Sequence, residues 1–179
     1  MKKISIIILA MALALTFITG CSKDNTKDNT KAQVTVDDIA NAIKAAYGEN
    51  YLPNREIDPE SLKMEFGLTS DMYESVKAEM PMISNHVDRV VTVKAAEGKA
   101  DAVEAALITA KENKVNDTFQ YPMNLPKINA TKIVRNGDFV CFLMVGAINE
   151  NMDATEEEAK QFAEDEVEKG VNAFNDLFK

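Results

Sequence analysis

Several residue types are scarce in this chain of 179 residues, which has no tryptophan, one histidine, two cysteines and seven glycines. Two cysteines cannot build the disulfide framework of a small secreted scaffold. The few glycines form neither a Walker phosphate-binding loop nor a dinucleotide-binding pattern. Nucleotide-binding folds that depend on those loops are therefore excluded, and no cofactor of any other kind is predicted.

The scarce nucleophiles and bases offer no catalytic constellation. His86 is the single imidazole and the chain has no Gly-x-Ser-x-Gly turn, so we interpret His86 as a surface or hydrogen-bonded residue. Cys141 lies in an apolar run without a basic neighbour and is predicted to be a buried core residue. No catalytic residue is predicted, although 29 acidic residues leave carboxylate pairs for glycoside hydrolysis open.

Positive charge is also in short supply, because 20 Lys and Arg residues face 29 Asp and Glu, a formal net charge of −9. Such a chain is repelled by nucleic acid, so no nucleic-acid partner is predicted. An acidic cluster combines Asp153 with residues 156–158, but its spacing differs from that of an EF-hand calcium loop. We interpret this cluster as the capped start of a solvated helix, and no metal site is predicted.

The first 20 residues have the three parts of a secretory signal peptide. Lys2 and Lys3 form a basic start, residues 4–19 carry no charge, and Gly20 is a small residue at the break. The apolar run is shorter than the roughly 20 residues that span a bilayer as a helix. A cleaved signal peptide over residues 1–20 is therefore favoured over a permanent transmembrane anchor.

The residues Ile18-Thr19-Gly20-Cys21 resemble the lipobox of bacterial lipoprotein signals. The resemblance implies that the Cys21 thiol receives a diacylglycerol and that the chain is cut just before it. Removing Lys2 and Lys3 takes the formal net charge from −9 to −11. We expect the mature protein to be anchored through lipid on the outer face of the cytoplasmic membrane.

A polar repeat follows Cys21, with Lys-Asp-Asn-Thr at positions 23–26 and again at 27–30. Such a segment has too little apolar surface to fold and is predicted to stay disordered. Residues 21–34 are therefore interpreted as the lipidated cysteine and a flexible tether, with a reach of roughly 20 Å for about 13 residues.

Three short helices are predicted at the start of a single domain over residues 35–179. The first begins at Thr35, whose side chain can cap it, and ends at Gly48. The second begins at Pro59 and ends at Gly67. The third runs from Ser70 or Thr69 to Met80, with apolar residues four apart, until Pro81 forbids its continuation.

Three strands and two helices follow. Residues 86–95 are rich in valine and predict a strand, residues 98–113 a helix, and residues 128–134 a second strand. Asn136-Gly137 is typical of a hairpin turn into a third strand, residues 139–147, which is apolar enough to lie centrally. Thr155 and Glu158 form a capping box for a long amphipathic helix, whose apolar stripe is Phe162, Val167, Val171, Phe174 and Phe178.

The predicted fold class is therefore α+β. A three-stranded, mainly antiparallel sheet in the order β-α-β-β follows the three short helices and precedes the long C-terminal helix.

Two irregular segments, residues 51–56 and 119–126, are the predicted binding surfaces, because loops of this length inside compact domains often bind partners. Each contains a tyrosine close to a proline, and the candidate binding residues are Tyr51, Arg55, Tyr121 and Pro122. The competing interpretation is that each tyrosine anchors its own loop in the core.

Four motifs carry a family resemblance: Phe66-Gly67-Leu68, the segment 79–85, Tyr121-Pro122 and the hairpin 136–140. Their order and spacing over residues 36–147 resemble Domain of Unknown Function 4358, a family of small Gram-positive bacterial lipoproteins. The resemblance implies an extracytoplasmic lipoprotein and implies no activity.

The leading functional hypothesis is a non-catalytic binding or scaffolding module that meets a protein partner at the cell envelope. Its other partner is the membrane, through diacylglycerol on Cys21. A small-ligand receptor and an envelope hydrolase remain as alternatives, and whether the protein is an enzyme stays open.

Overall fold

A computed structural model describes residues 34–83 and 85–179. The predicted signal peptide, Cys21 and all but the last residue of the predicted tether lie outside the described residues. Within the described ranges, no helix is both long enough and apolar enough to cross a membrane.

The domain is a mixed α/β structure with five α-helices, two short 3₁₀ helices (Gly48–Asn50 and Pro122–Asn124) and one five-stranded antiparallel sheet across the described residues. The strand order is β1-β2-β3-β5-β4. The helices are α1 Val36–Tyr47, α2 Pro59–Phe66, α3 Ala100–Val115, α4 Leu125–Ala130 and α5 Glu156–Asp176. The strands are β1 Arg55–Glu56, β2 Tyr73–Met80, β3 Arg89–Ala95, β4 Lys132–Asn136 and β5 Phe139–Met144.

Local capping signals explain where three helices begin. The Asp38 amide donates to Thr35 Oγ1 and the Thr35 amide donates to Asp38 Oδ2, which completes the predicted capping box of α1. Thr155 and Glu158 make the same reciprocal pair at α5. The Ser61 amide donates to Asp58 ahead of Pro59, so the predicted starts of α1, α2 and α5 are confirmed.

The core has one apolar cluster on each face of the sheet. Helices α2 and α3 cover the first face, where Phe66 packs edge-on against Phe142 of β5 with ring centroids 5.3 Å apart. Helices α1 and α5 cover the second face, where Ile43 and Phe174 are buried with Leu143. Successive side chains of β5 point alternately into the first and the second cluster. The sheet is therefore the middle layer of three, with helices on both sides.

The predicted third helix is wrong, because residues 73–80 form strand β2. A turn at Ser70 and Asp71 precedes it, and β2 then pairs with the valine-rich β3, for example Val76 with Val93. Apolar residues four positions apart lie on one face of a strand as well as of a helix. Pairing with β3 decides between the two.

The sheet has five strands and not the three predicted. Besides β2, the two-residue edge strand β1 was too short for a sequence signal. The predicted strand over 128–134 is also partly wrong: Pro126 lies in the first turn of α4, Ile128 is buried on that helix, and β4 starts only at Lys132. The antiparallel sheet, the Asn136-Gly137 hairpin and the C-terminal helix are confirmed.

Strand β5 lies between β3 and β4, in agreement with its predicted interior position. Every residue from Val140 to Val145 is at most 1% exposed. Cys141 is fully buried, and burial raises the pKa of its thiol, so the predicted core role of Cys141 is confirmed.

A glycine lets α1 and α5 approach closely. The Tyr47 hydroxyl donates to the Glu166 carbonyl at 2.9 Å and accepts from the Gly170 amide at 3.2 Å. A Cβ at position 170 would lie 2.9 Å from that hydroxyl and 3.4 Å from Leu143 Cδ1. The contact between the two helices therefore requires glycine at this position.

Gly170→Ala is expected to lower the free energy of unfolding by about 1–3 kcal/mol, because overpacking outweighs the better helix propensity of alanine. Urea denaturation of the variant measures the change.

Tyr47→Phe combined with Gly170→Ala is the control, since it removes the atom that the new methyl group meets first. We expect the double variant to lose less stability than the two single variants together. Additive losses would show that the Tyr47 hydroxyl is not the obstacle.

Candidate functional site

Three connecting segments meet at one end of the sheet. Strand β2 ends at Met80, while β3 begins at Arg89 opposite Met144, and β4 begins at Lys132 opposite Leu143. Segments 81–88, 119–131 and 145–155 therefore enter or leave the sheet on the same side. We call these three segments the loop end.

Exposed apolar side chains concentrate at the loop end. It holds eight of the twelve large hydrophobic residues that are exposed in the described part of the chain. Phe119 and Met152 are more than 90% exposed. The eight are Met82, Ile83, Phe119, Tyr121, Met123, Leu125, Ile148 and Met152. Four of the eight, Met123, Leu125, Ile148 and Met152, line one groove, and a cluster of exposed apolar side chains is typical of an interaction site.

A groove of about 890 Å³ runs through the loop end between α4 and the first half of α5. Residues 122–130 form one wall, residues 147–154 form the end, and residues 156–164 of α5 form the other wall. Its apolar lining includes Met123, Leu125, Ile148, Met152 and the half-buried Phe162.

Three of the five charged residues that line the groove are acidic, and the basic ones are Lys127 and Lys160. Glu156, Glu157 and Glu164 line it from α5, and the ammonium group of Lys160 lies 3.6 Å from Glu157. Across residues 34–83 and 85–179, neither Glu156 nor Glu164 has an ion-pair partner. The wall formed by α5 therefore presents uncompensated negative charge.

A buried lysine ties the three segments of the loop end together. Lys127 of α4 lines the groove but is only 9% exposed. Its ammonium group donates to Asp88 Oδ1 at 2.6 Å and to the Gly146 carbonyl at 2.7 Å. One side chain thus connects α4 to the segments before β3 and after β5.

Asp88 is fully buried and its second carboxylate oxygen has no hydrogen-bond partner among the described residues. Burial raises the pKa of the Asp88 carboxyl, while the neighbouring Lys127 ammonium acts in the opposite direction. Arg89 donates to the Asp88 and His86 carbonyls and to Glu65, so it fixes the backbone of this segment. The ion pair is therefore held in a rigid, dry setting.

His86 packs against the same carboxylate. Its Nδ1 accepts from the Asp88 amide at 3.3 Å and lies 3.5 Å from Asp88 Oδ1. Burial lowers the pKa of the imidazole, and Lys127 and Arg89 add to the effect while Asp88 opposes it. The prediction of a hydrogen-bonded histidine is confirmed.

Glu166 of α5 holds the start of segment 145–155. It is 7% exposed, and its Oε2 accepts from the Ala147 amide at 2.9 Å. Gly146 has φ 139°, and a Cβ there would come within 2.8 Å of Glu166 Cβ. The chain can turn from β5 into the loop end beside α5 only because residue 146 is glycine.

The two predicted binding segments do not form one site. Tyr51 is 8% exposed and its hydroxyl donates to Glu79 Oε2 at 2.8 Å, so it anchors its own loop. Arg55 is exposed on the edge strand β1, with its guanidinium 3.1 Å from Met80 Sδ. Neither residue lines the groove.

The second predicted segment does belong to the groove. Pro122 lines it, and Tyr121 is 56% exposed immediately before it. Sequence reasoning missed Lys127 and Asp88, which are 39 residues apart in the chain. An isolated lysine inside an apolar stretch was the one available signal for a buried charge.

The described residues give no direct sign of metal or thiol chemistry. They contain no group of three or more His, Cys, Asp or Glu side chains that could hold a metal ion. Cys141 is buried within β5, away from the groove lining.

The sequence matches the family model described as Domain of unknown function (DUF4358) over residues 46–145. The match covers α2, α3, α4 and the entire sheet, and it ends before α5. No curated protein and no solved structure matches the chain.

Lys127→Met is expected to lower the free energy of unfolding by about 3–5 kcal/mol, because it leaves a buried carboxylate without its partner. Adding Asp88→Asn removes that charge, so the double variant should regain part of the loss. Urea denaturation at neutral pH measures both changes.

Lys160→Met is the matched control, since its exposed ion pair with Glu157 contributes at most about 1 kcal/mol. Equal, small losses for Lys127→Met and Lys160→Met would contradict the structural role of the buried pair.

The contribution of His86 to stability is expected to fall as the pH drops below about 6.5, the ordinary pKa of histidine, whereas the raised pKa of the Asp88 carboxyl acts in the opposite direction when that group binds its proton. The pKa of His86 is lower in the folded state than in the unfolded chain, so the unfolded chain binds a proton at His86 more readily. Acidification therefore stabilises the unfolded chain relative to the folded state. The loss continues until the pH passes the folded-state pKa. Urea denaturation between pH 8 and pH 5 follows it.

His86→Asn is the control, because the Asn carbonyl oxygen can replace Nδ1 as acceptor but does not titrate. Its stability should change less over the same pH interval. The same slope in both proteins would assign the effect to other groups.

Proposed function

Since the chain belongs to the family Domain of unknown function (DUF4358), which carries no assigned activity, we propose its function from its sequence and its geometry: a lipid-anchored, extracytoplasmic binding module without catalytic activity. Diacylglycerol on Cys21 holds it on the outer face of the cytoplasmic membrane. Its contact surface is the groove at the loop end, which receives an apolar segment of an envelope protein.

The observation that carries this proposal is the exposed apolar lining of the groove. Met123 is 67% exposed, Met152 94% and Ile148 41%, and all three line the same cavity. Leaving such side chains in water forgoes about 25 cal/mol for each Å² of apolar surface. A partner that covers them recovers this free energy, which supports a protein-binding role.

Support for the anchor comes from the leader and the lipobox-like residues ending in Cys21. The acidic domain gains no attraction from an anionic membrane surface, so in this proposal the lipid on Cys21 alone supplies the attachment. The anchor and the groove are separate parts of the proposal and can fail separately.

A small-ligand receptor is the second candidate, because a groove of about 890 Å³ lies within the usual size of ligand sites. A metabolite that stabilises the protein thermally in the absence of any protein partner would favour this role.

Crosslinking in intact cells followed by mass spectrometry tests the proposed function. We expect the lipidated protein to capture one envelope protein, and Met123→Asp to abolish the capture by placing a charge on the apolar lining. The amounts recovered with the two proteins are compared directly.

Met64→Asp is the matched control, since Met64 is 77% exposed but lies outside the groove. It should leave capture unchanged, whereas equal capture by wild type and Met123→Asp would overturn the groove as contact surface. Cys21→Ala tests the anchor, because it should remove lipid label and membrane association while Cys141→Ala removes neither.

A further inference from the structure

We propose that the segment bound in the groove is a basic amphipathic peptide of the partner protein, apolar on one side and carrying Lys or Arg on the other. This inference rests on the proposed function, because it names the chemistry of the partner for the same groove. Three features of the groove lead to it: its adaptable apolar lining, its acidic wall and its length.

The apolar lining suits a peptide whose side chains vary in shape. Met123 and Met152 are unbranched, flexible and exposed, and methionine-rich surfaces repack around different hydrophobic partners. Leu125, Ile148 and Phe162 add branched and aromatic surface to the lining. The apolar side of an amphipathic segment covers this surface, in the manner of a helix laid into a hydrophobic groove.

The acidic α5 wall of the groove favours a ligand whose polar side is positively charged. Glu156 and Glu164 lie at opposite ends of this wall, and neither is neutralised by a described basic residue. Glu157 forms an ion pair with Lys160, and the Lys127 ammonium group forms one with Asp88. A ligand carrying Lys or Arg meets complementary charge along the groove, whereas an acidic ligand is repelled.

The length of the groove matches a short segment. Residues 156 to 164 of α5 rise about 12 Å at 1.5 Å per residue. A helical ligand of about eight residues, or two turns, spans this distance. Apolar residues at positions i, i+3, i+4 and i+7 of such a ligand face the lining together.

An anionic membrane surface is the competing occupant for exposed apolar loops. Met152, which is 94% exposed, is an apolar side chain that a membrane could cover. However, Glu156 and Glu164 line the same groove and would face the negative headgroups of the cytoplasmic membrane at a cost of about 1 kcal/mol for each charge. The charge pattern therefore favours a basic peptide over the bilayer.

The test uses the purified lipidated protein in nanodiscs of zwitterionic phosphatidylcholine, with empty nanodiscs as blank. The first probe is a fluorescent 12-residue peptide with leucine at i, i+3, i+4 and i+7 spacing and lysine on the opposite side. The second carries glutamate in place of every lysine. Fluorescence anisotropy gives the Kd of each, and the same probes are titrated at low and high salt.

We expect the lysine peptide to bind at least about tenfold more tightly than the glutamate peptide, with affinity falling as salt screens the charges. Glu156→Gln combined with Glu164→Gln should weaken the lysine peptide about three- to tenfold. Each of Glu156→Gln and Glu164→Gln is also measured alone against the control Glu168→Gln, which removes one charge from α5 outside the groove and should change the affinity little.

The outcomes separate this inference from the proposed function. Met123→Gln removes apolar lining without adding an acidic group. If Met123→Gln abolishes binding but lysine and glutamate peptides bind equally, the groove stands and the basic partner is wrong. If Met123→Gln leaves peptide binding unchanged, the proposed contact surface itself is wrong. Failure of the lysine peptide to bind, or binding of the protein to anionic vesicles in competition with it, also overturns the basic-peptide inference.

Discussion

Strand β5 must be covered on both faces, because every residue from Val140 to Val145 is at most 1% exposed. One helix layer cannot bury a strand whose side chains alternate between two faces and are all apolar. Helices α2 and α3 therefore pack on one face and α1 and α5 on the other. The three-layer arrangement and the position of α5 beside the end of the sheet both follow from this strand.

The groove lies where the chain leaves the buried core after the end of β5. At Gly146 the chain turns beside Glu166, and the Gly146 carbonyl accepts a hydrogen bond from the buried Lys127. Lys127 also binds Asp88, so the three segments of the loop end are fixed by one ammonium group. A binding surface made from loops gains affinity when its loops are held in place before the ligand arrives. The ion pair supplies this preorganisation, and the apolar and acidic side chains above it supply the contacts.

Local signals predicted much of the fold but little of the groove. The capping pairs at Thr35 and Thr155 and the hairpin at Asn136-Gly137 depend on neighbouring residues, and all three are confirmed. Strand β2 was missed because its apolar residues lie four positions apart, a spacing that puts them on one face of either a helix or a strand. Only the pairing of β2 with β3 decides between the two. Of the predicted binding residues, Pro122 alone lines the groove. The remaining lining comes from segments far apart in sequence, which no local pattern brings together.

Hydrogen–deuterium exchange on the complex with the captured envelope protein tests the central claim most directly. Apart from the Ala147 amide, the amides of segment 147–155 either have no hydrogen-bond partner within the described domain or donate to a residue two or three positions away, so we expect them to exchange quickly in the free protein. The account predicts that partner binding slows exchange in 147–155 and in 119–126, and leaves 51–56 unchanged. Protection confined to 51–56 and the edge of β2, with 147–155 still exchanging freely, would contradict it.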